Sequence, residues 1–372
     1  MTTSQTQLLS LLSNALFGHT TDAVLTDDVL HEAQQHTVRT FVSGNEFAMI
    51  TNNVRVNVAH TNLAKDLAGI PFVTIKGYAS AYYYPKPVLR PMGDVDFYVT
   101  PDRYTDAKDA LIGAGYRQVQ EEHERHESFW KNNVLFELHS EIKGVPNGRD
   151  GIRTDSKEVE SIVRGYLADI VDTAVRVRIQ QGEIIIPDDF HHGLIMLLHV
   201  AGHMISDGGI GLRHLCDWAV YAGRVDVSAF RNPLTEMGLW TFACQLTALC
   251  TMFLGLKRQD WAGTWDERFL CSLMEDILSG GNFGQKEKIR RGVENQLFRD
   301  RHIASSVVQM TEKRYPVVKK WPVLIPGAVF YEMTRYLFRS LTGQQKPVNK
   351  VIREVRSRYD LYAHFRLFET GR

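Results

Sequence analysis

The chain has 372 residues, with 43 Lys and Arg against 43 Asp and Glu, so its formal net charge is zero and its pI is about 7.2. With 44% hydrophobic and 23% charged residues, wholesale disorder is excluded and two or three packed domains are expected. The even charge argues against a dedicated duplex-DNA binder, and no uninterrupted run of ~18 apolar residues is present to span a membrane.

Residues 1–68 read as helix. Leu8, Leu9, Leu11, Leu12 and Leu16 recur at helical spacing. A second polar–apolar pattern runs through His36, and a long one from Phe47 to Leu67 holds no Pro or Gly. The start of the chain lacks the basic segment of a secretion signal, which points to the cytoplasm. The texture changes at Gly69. Ile70 to Ile75 is a short β-rich run that ends at Lys76-Gly77, and Pro85-Lys86-Pro87 closes whatever follows. Asp94 to Val99 alternates cleanly and reads as a strand. Pro101 to Gly115 reads as a helix, with Ala107, Ala110 and Leu111 on one face. Val134 to Ile142 is a third strand. Residues 143–165 are Gly-, Asp- and Arg-rich and read as an excursion.

Val175 to Ile186 reads as a hairpin or a pair of edge strands, and Pro187-Asp188-Asp189 as a helix start with acids at the positive end of the dipole. From there nearly everything is helical, broken near Gly208-Gly209, Pro233, Gly280-Gly281 and Pro316 to Pro326, with a basic, amphipathic tail over 346–372. Three regions are therefore expected: 1–68 helical, 69–186 α/β, and 187–372 helical. Cys216, Cys244, Cys250 and Cys271 show no CxxC spacing and read as buried free thiols.

The chemistry concentrates between residues 76 and 141. Side chains alternate faces along a strand, so Asp94 and Asp96 point the same way while Val95 and Phe97 point the other. Two carboxylates about 7 Å apart at Cα can close on a hard divalent cation such as Mg²⁺ or Mn²⁺. In the third strand, Glu137, His139 and Glu141 share one face and Phe136, Leu138 and Ser140 the other. If the two strands are neighbours, Glu137 completes an acidic triad with His139 one step further on. Arg90, four residues before Asp94, could hold a triphosphate bidentately or pair with a carboxylate. Tyr82, Tyr83 and Tyr84 could stack a base or pack in a core. His199 and His203 share a helix face at i,i+4. They read as polar groups lining a cleft where Arg213 and His214 could meet an acceptor, or, with Asp207 or Asp217, as a phosphohydrolase metal site. Arg290-Arg291 and Lys319-Lys320 read as solvated faces.

Lys76-Gly77, then Arg90-Pro-Met-Gly-Asp94-Val-Asp96-Phe-Tyr-Val, then Glu137-Leu-His139 together resemble the uncharacterised nucleotidyltransferase family of the DNA polymerase β-like superfamily. The resemblance covers roughly residues 45–340. It implies an α+β fold: a minimal α/β nucleotidyltransferase unit with a small mixed sheet, flanked by N-terminal helices and a large C-terminal helical region. It implies transfer of NMP from an NTP to a hydroxyl of a small molecule or sugar, with Asp94, Asp96 and Glu137 as catalytic metal ligands. Lys76, Gly77, Arg90 and His139 would bind the nucleotide. The wider superfamily carries Gly-Ser where this chain has Lys76-Gly77. There a lysine cation would replace a serine hydroxyl at the phosphate, or the protein would be a non-catalytic relative that serves in binding or assembly.

Overall fold

A computed structural model describes residues 1–43, 47–119, 126–144, 156–206, 209–281, 317–342 and 363–370, with Val308, Thr311, Glu312, Arg314, Tyr315 and Leu361. It is a mixed α+β protein with a five-stranded sheet set among many helices. Asp207, Gly208, Arg290, Arg291 and most of the basic tail lie outside the described residues.

The sheet contains β1 (Val73–Thr74), β2 (Asp94–Tyr98), β3 (Arg117–Gln118), β4 (His126–Lys131) and β5 (Val134–His139), in the order β1-β2-β5-β4-β3. β2 and β5 run parallel at its centre, and the other pairings are antiparallel. The parallel pair needs a crossover, which carries α6 (Tyr104–Gly113) and the β3–β4 strands. β4 turns into β5 through Asn132 and Asn133, both at positive φ (52° and 59°), the two-residue hairpin geometry that Asn tolerates best among residues with a Cβ. A separate hairpin joins β6 (Val175–Ile179) to β7 (Gly182–Ile186). The β-run expected over 70–75 contracts to two ladder residues, extended by a hydrogen bond from Ile75 N to Asp96 O (3.1 Å).

Strand alternation sorts the sheet's two faces. Val95, Phe97, Phe136 and Leu138 are buried on one face with Phe72 and Phe129. They pack against α4 (Phe47–Asp66), α6 and the β6–β7 hairpin in one apolar core. The opposite face carries the acids and meets a second, larger core. That core gathers α1 (Thr3–Phe17), α2 (Asp27–Gln35), α3 (Arg39–Ser43), α8 (Asp189–Ser206), α9 (Leu212–Ala222), α11 (Trp240–Leu254) and α12 (Glu267–Gly280). The N-terminal helical stretch is thus shared: α1 to α3 join the distant helices, while α4 belongs to the sheet. Of the cysteines, Cys216, Cys244 and Cys250 are buried free thiols, but Cys271 is exposed, because it falls on the outer face of α12.

Candidate functional site

Parallel pairing sets Asp94 opposite Leu135, Asp96 opposite Glu137 and Tyr98 opposite His139. Paired residues on adjacent strands point to the same face, so Asp94, Asp96, Glu137 and His139 share the face turned away from the sheet's own core. β4 adds His126 opposite His139 and Ser128 opposite Glu137. Ligand-capable atoms of Asp96, Glu137 and His139 lie within 4.8 Å of one another. His139 Nε2 is 2.9 Å from Asp96 Oδ1 and 3.4 Å from Glu137 Oε2, and His126 Nε2 is 3.8 Å from Glu137 Oε1. Neither His126 nor β4 follows from alternation in the sequence. The Asn132-Asn133 pair is the signal that would have found that hairpin.

Lys76 ends the β1 run and reaches across to Asp96, its Nζ 2.6 Å from Oδ1. It faces the sheet rather than the solvent: its side chain is only 25% exposed, since β1 and β2 are direct neighbours. Gly77 stands at φ +56°, a region costly for residues with a Cβ. A Cβ there would sit 3.6 Å from Asp94 O and from His60 Nε2.

The guanidinium of Arg90 is taken by a carboxylate. Its Nε and Nη2 donate to Oδ1 and Oδ2 of Asp217, both at 2.7 Å, and its Nη1 donates to Gly77 O at 3.1 Å. Tyr84 Oη donates to Asp217 Oδ1 at 2.7 Å. Arg90 therefore stands as the carboxylate-paired alternative to the triphosphate contact, and it ties the Lys76-Gly77 turn to α9. Asn53, fully buried on α4, fixes the approach to Asp94. Its Nδ2 donates to Val88 O (2.6 Å) and Arg90 O (2.8 Å), and its Oδ1 accepts from Met92 N (3.1 Å). An asparagine inside a helical pattern gave no sign of this loop-holding role. Tyr83 and Tyr84 are core residues whose hydroxyls bond Asp189 and Asp217, whereas Tyr82 is exposed.

A cavity of about 310 Å³ opens above the acidic face. Lys76, Gly77, Arg90, Asp94 and Asp96 line one side, and His199, His203, Arg213, His214 and Asp217 from α8 and α9 line the other, with Lys143 between. His199 and His203 Nε2 atoms stand 3.1 Å apart, and His214 is the third residue that gathers with them. Its Nδ1 accepts the Gly211 N–H at 3.1 Å, closing the start of α9. Asp217 does not join these histidines as a ligand, because Arg90 and Tyr84 occupy its oxygens. The backbone after Lys143 packs closely on α8: a Cβ on Gly144 would fall 1.8 Å from Leu198 O, and one on Gly202 would fall 3.2 Å from Gly144 Cα.

The electrostatics separate the two walls. Burial pushes the Asp94 carboxyl up to about 6, reinforced by the charges of Asp96 and Glu137. Burial opposes ionisation of Asp96 as well, but the Lys76 charge and the His139 hydrogen bond hold its carboxyl well below the usual range. Burial drags His139 down, yet its bonds to Asp96 and Glu137 leave it above its ordinary value. Across the cavity, burial and the His203 charge keep His199 well below the ordinary imidazole value, and burial and His203 do the same to His214. Those rings are neutral near pH 7. Asp94 stands outside the group that Asp96, Glu137 and His139 form within 4.8 Å, yet it feels both neighbouring carboxylates. Such a set of acids could hold a hard divalent cation, which prefers carboxylate oxygen and would relieve the repulsion.

Comparison with curated proteins and with solved structures finds no match. A family model, described as an uncharacterised nucleotidyltransferase, matches residues 3–255. That match spans the whole sheet, the Lys76-Gly77 turn and the helices that close the cavity, and with it the chain belongs to the uncharacterised nucleotidyltransferase family.

Proposed function

We propose that this protein is a metal-dependent nucleotidyltransferase that moves NMP from an NTP to a hydroxyl of a small molecule. One observation carries the reading: the register that pairs Asp96 with Glu137 brings Asp94, Asp96 and Glu137 onto a single face of the sheet, and Asp94 and Asp96 line the cavity beside it. These three carboxylates would hold Mg²⁺ or Mn²⁺. A bound divalent cation would stabilise charge on the transferring phosphoryl group and favour ionisation of the attacking hydroxyl.

The chain's own groups do the rest. Lys76 keeps Asp96 ionised and presents a cation to the cavity. His139 donates to Asp96 and Glu137 and so fixes how their oxygens face. Gly77, held through its carbonyl by Arg90, leaves room for phosphate close to the backbone. A cavity of about 310 Å³ is at the small end of small-molecule sites, which supports a compact acceptor over a macromolecular surface.

The Lys76–Asp96 contact at 2.6 Å also supports a second reading, a nucleotide-binding relative without turnover, because a lysine already neutralises one ligand. Incubation with each NTP, Mg²⁺ or Mn²⁺ and a metabolite extract tests both. Pyrophosphate release and a product heavier by one NMP are expected. Both should vanish in Asp94→Asn, with the melting temperature unchanged, and in Asp96→Asn, which also leaves Lys76 without its counter-charge. Turnover that survives in both variants would refute the site. Metal-dependent NTP binding without pyrophosphate would favour the second reading.

A further inference from the structure

The helix Ile325–Leu341 presents its faces the wrong way round for a surface helix of a globular protein. Such helices turn an apolar stripe to the core and charges to water. Here Glu332 is drawn toward the chain. It accepts from the Tyr315 hydroxyl and pairs with Arg314 Nη1 at 3.4 Å and Arg335 Nη2 at 3.1 Å. Phe330, Met333, Leu337 and Leu341, three or four residues apart, share the opposite face at 71%, 54%, 49% and 87% exposure. Phe338 and the preceding Trp321 and Val323 extend the patch at 68%, 63% and 81%. None of the helix's described residues is buried. A continuous exposed apolar surface of this kind marks an interaction site.

Charge selects the partner. Residues 313–358 hold eleven Lys and Arg against two Glu, in a chain whose total is neutral. Lys320 adjoins the patch, and Arg335 and Arg339 lie on the polar, Glu332 side of the helix, the division of an interfacial helix with basic residues on its polar face. A second copy would bring the same positive field and be repelled. An anionic lipid surface offers hydrocarbon to Phe330, Leu337 and Leu341 and negative headgroups to the lysines and arginines. Trp321 and Tyr331 have the amphipathic rings that settle at that boundary. Seventeen residues make a helix about 25 Å long, which suits lying along the surface. No described helix is long and apolar enough to cross a membrane.

We propose that Ile325–Leu341, with the turn that begins at Trp321, docks the protein on an anionic phospholipid surface. The full chain should co-sediment with vesicles of phosphatidylcholine and phosphatidylglycerol in equal parts. It should bind pure phosphatidylcholine vesicles at least about tenfold more weakly, and raised salt should release it. Phe330→Glu and Leu337→Glu should each weaken vesicle binding about tenfold and leave the melting temperature unchanged. Three results would overturn the proposal. If the wild type binds neither vesicle and the variants melt lower, the patch is covered from within the chain. If it binds neither and elutes as a dimer that the variants dissociate, a second copy covers it. If it binds both vesicles equally, the basic residues play no part.

Discussion

Asp217→Ala removes the acceptor of three hydrogen bonds, two from Arg90 and one from Tyr84, and leaves Arg90 only 6% exposed without its counter-charge. Breaking a buried pair from one side costs about 3–5 kcal/mol. Unfolding entropy is about 2.1 cal/mol/K per residue, which over 372 residues gives roughly 0.8 kcal/mol/K. The melting temperature should therefore fall by about 4–6 °C. Arg90→Met with Asp217→Leu puts apolar groups in place of both charges and should recover most of the loss. Gly77 O would still lack its donor, so nucleotidyl transfer should stay low in the double variant while stability returns. The pH dependence has a definite sign. Burial opposes ionisation of Asp217, but Arg90 outweighs it and holds the carboxyl below its ordinary value of 3.8. Its contribution is present above that value and is lost as pH falls through the lowered one. Calorimetric melts of the wild type, both single variants and the double variant provide the check. A loss under about 1 °C in Asp217→Ala, or a double variant worse than the sum of the singles, would refute the reasoning.

Lys76→Met removes the ammonium that Asp96 shares at 2.6 Å; Mn²⁺ binding, read by titration calorimetry, should tighten about tenfold while NTP affinity falls. Asp188 accepts from the backbone N–H of His191 at 2.8 Å and lies 3.0 Å from its Nδ1. Burial disfavours both charges, but the pairing raises His191 above its ordinary 6.5 and lowers Asp188 to about 2. The pair's stabilisation should be greatest between about pH 4 and 6.5, fading as pH rises through the raised His191 value and as it falls toward 2. His191→Gln should flatten the alkaline side of a stability–pH profile. Gly144→Ala, with its Cβ at 1.8 Å from Leu198 O and a backbone φ of +93°, should cost about 3 kcal/mol in chemical denaturation; a loss under about 0.5 kcal/mol would show that the loop moves aside.

The acidic strands were legible because their signal is local. Alternation in Asp94–Val99 and Val134–Ile142 sorts polar from apolar residues whatever lies next to them, and the structure keeps that sorting as far as His139, where the second strand ends short of Ser140 and Glu141. The helix over 104–113 and the hairpin over 175–186 were legible for the same reason. Arg90 was not, because its partner lies 127 residues away and no spacing encodes a contact that only folding creates. β4 was obscured by His126, Glu127 and Lys131, whose polarity suits a strand that helps wall a charged site but hides the alternation. The division of the N-terminal helices between two cores was equally hidden: α1 and α4 both show amphipathic patterns, and a pattern records that a face is buried, not what buries it.

The two walls of the cavity belong to different hydrophobic cores, the carboxylates to a sheet backed by α4 and the histidines to α8 and α9. Whatever seats there gives its binding energy to the interface between them. Neither half can lose order without surrendering the ligand, so occupancy would raise the melting temperature of the whole chain. Thermal unfolding would then report ligand discovery directly: a compound that fits the cavity would announce itself by a raised melting temperature before any product is identified.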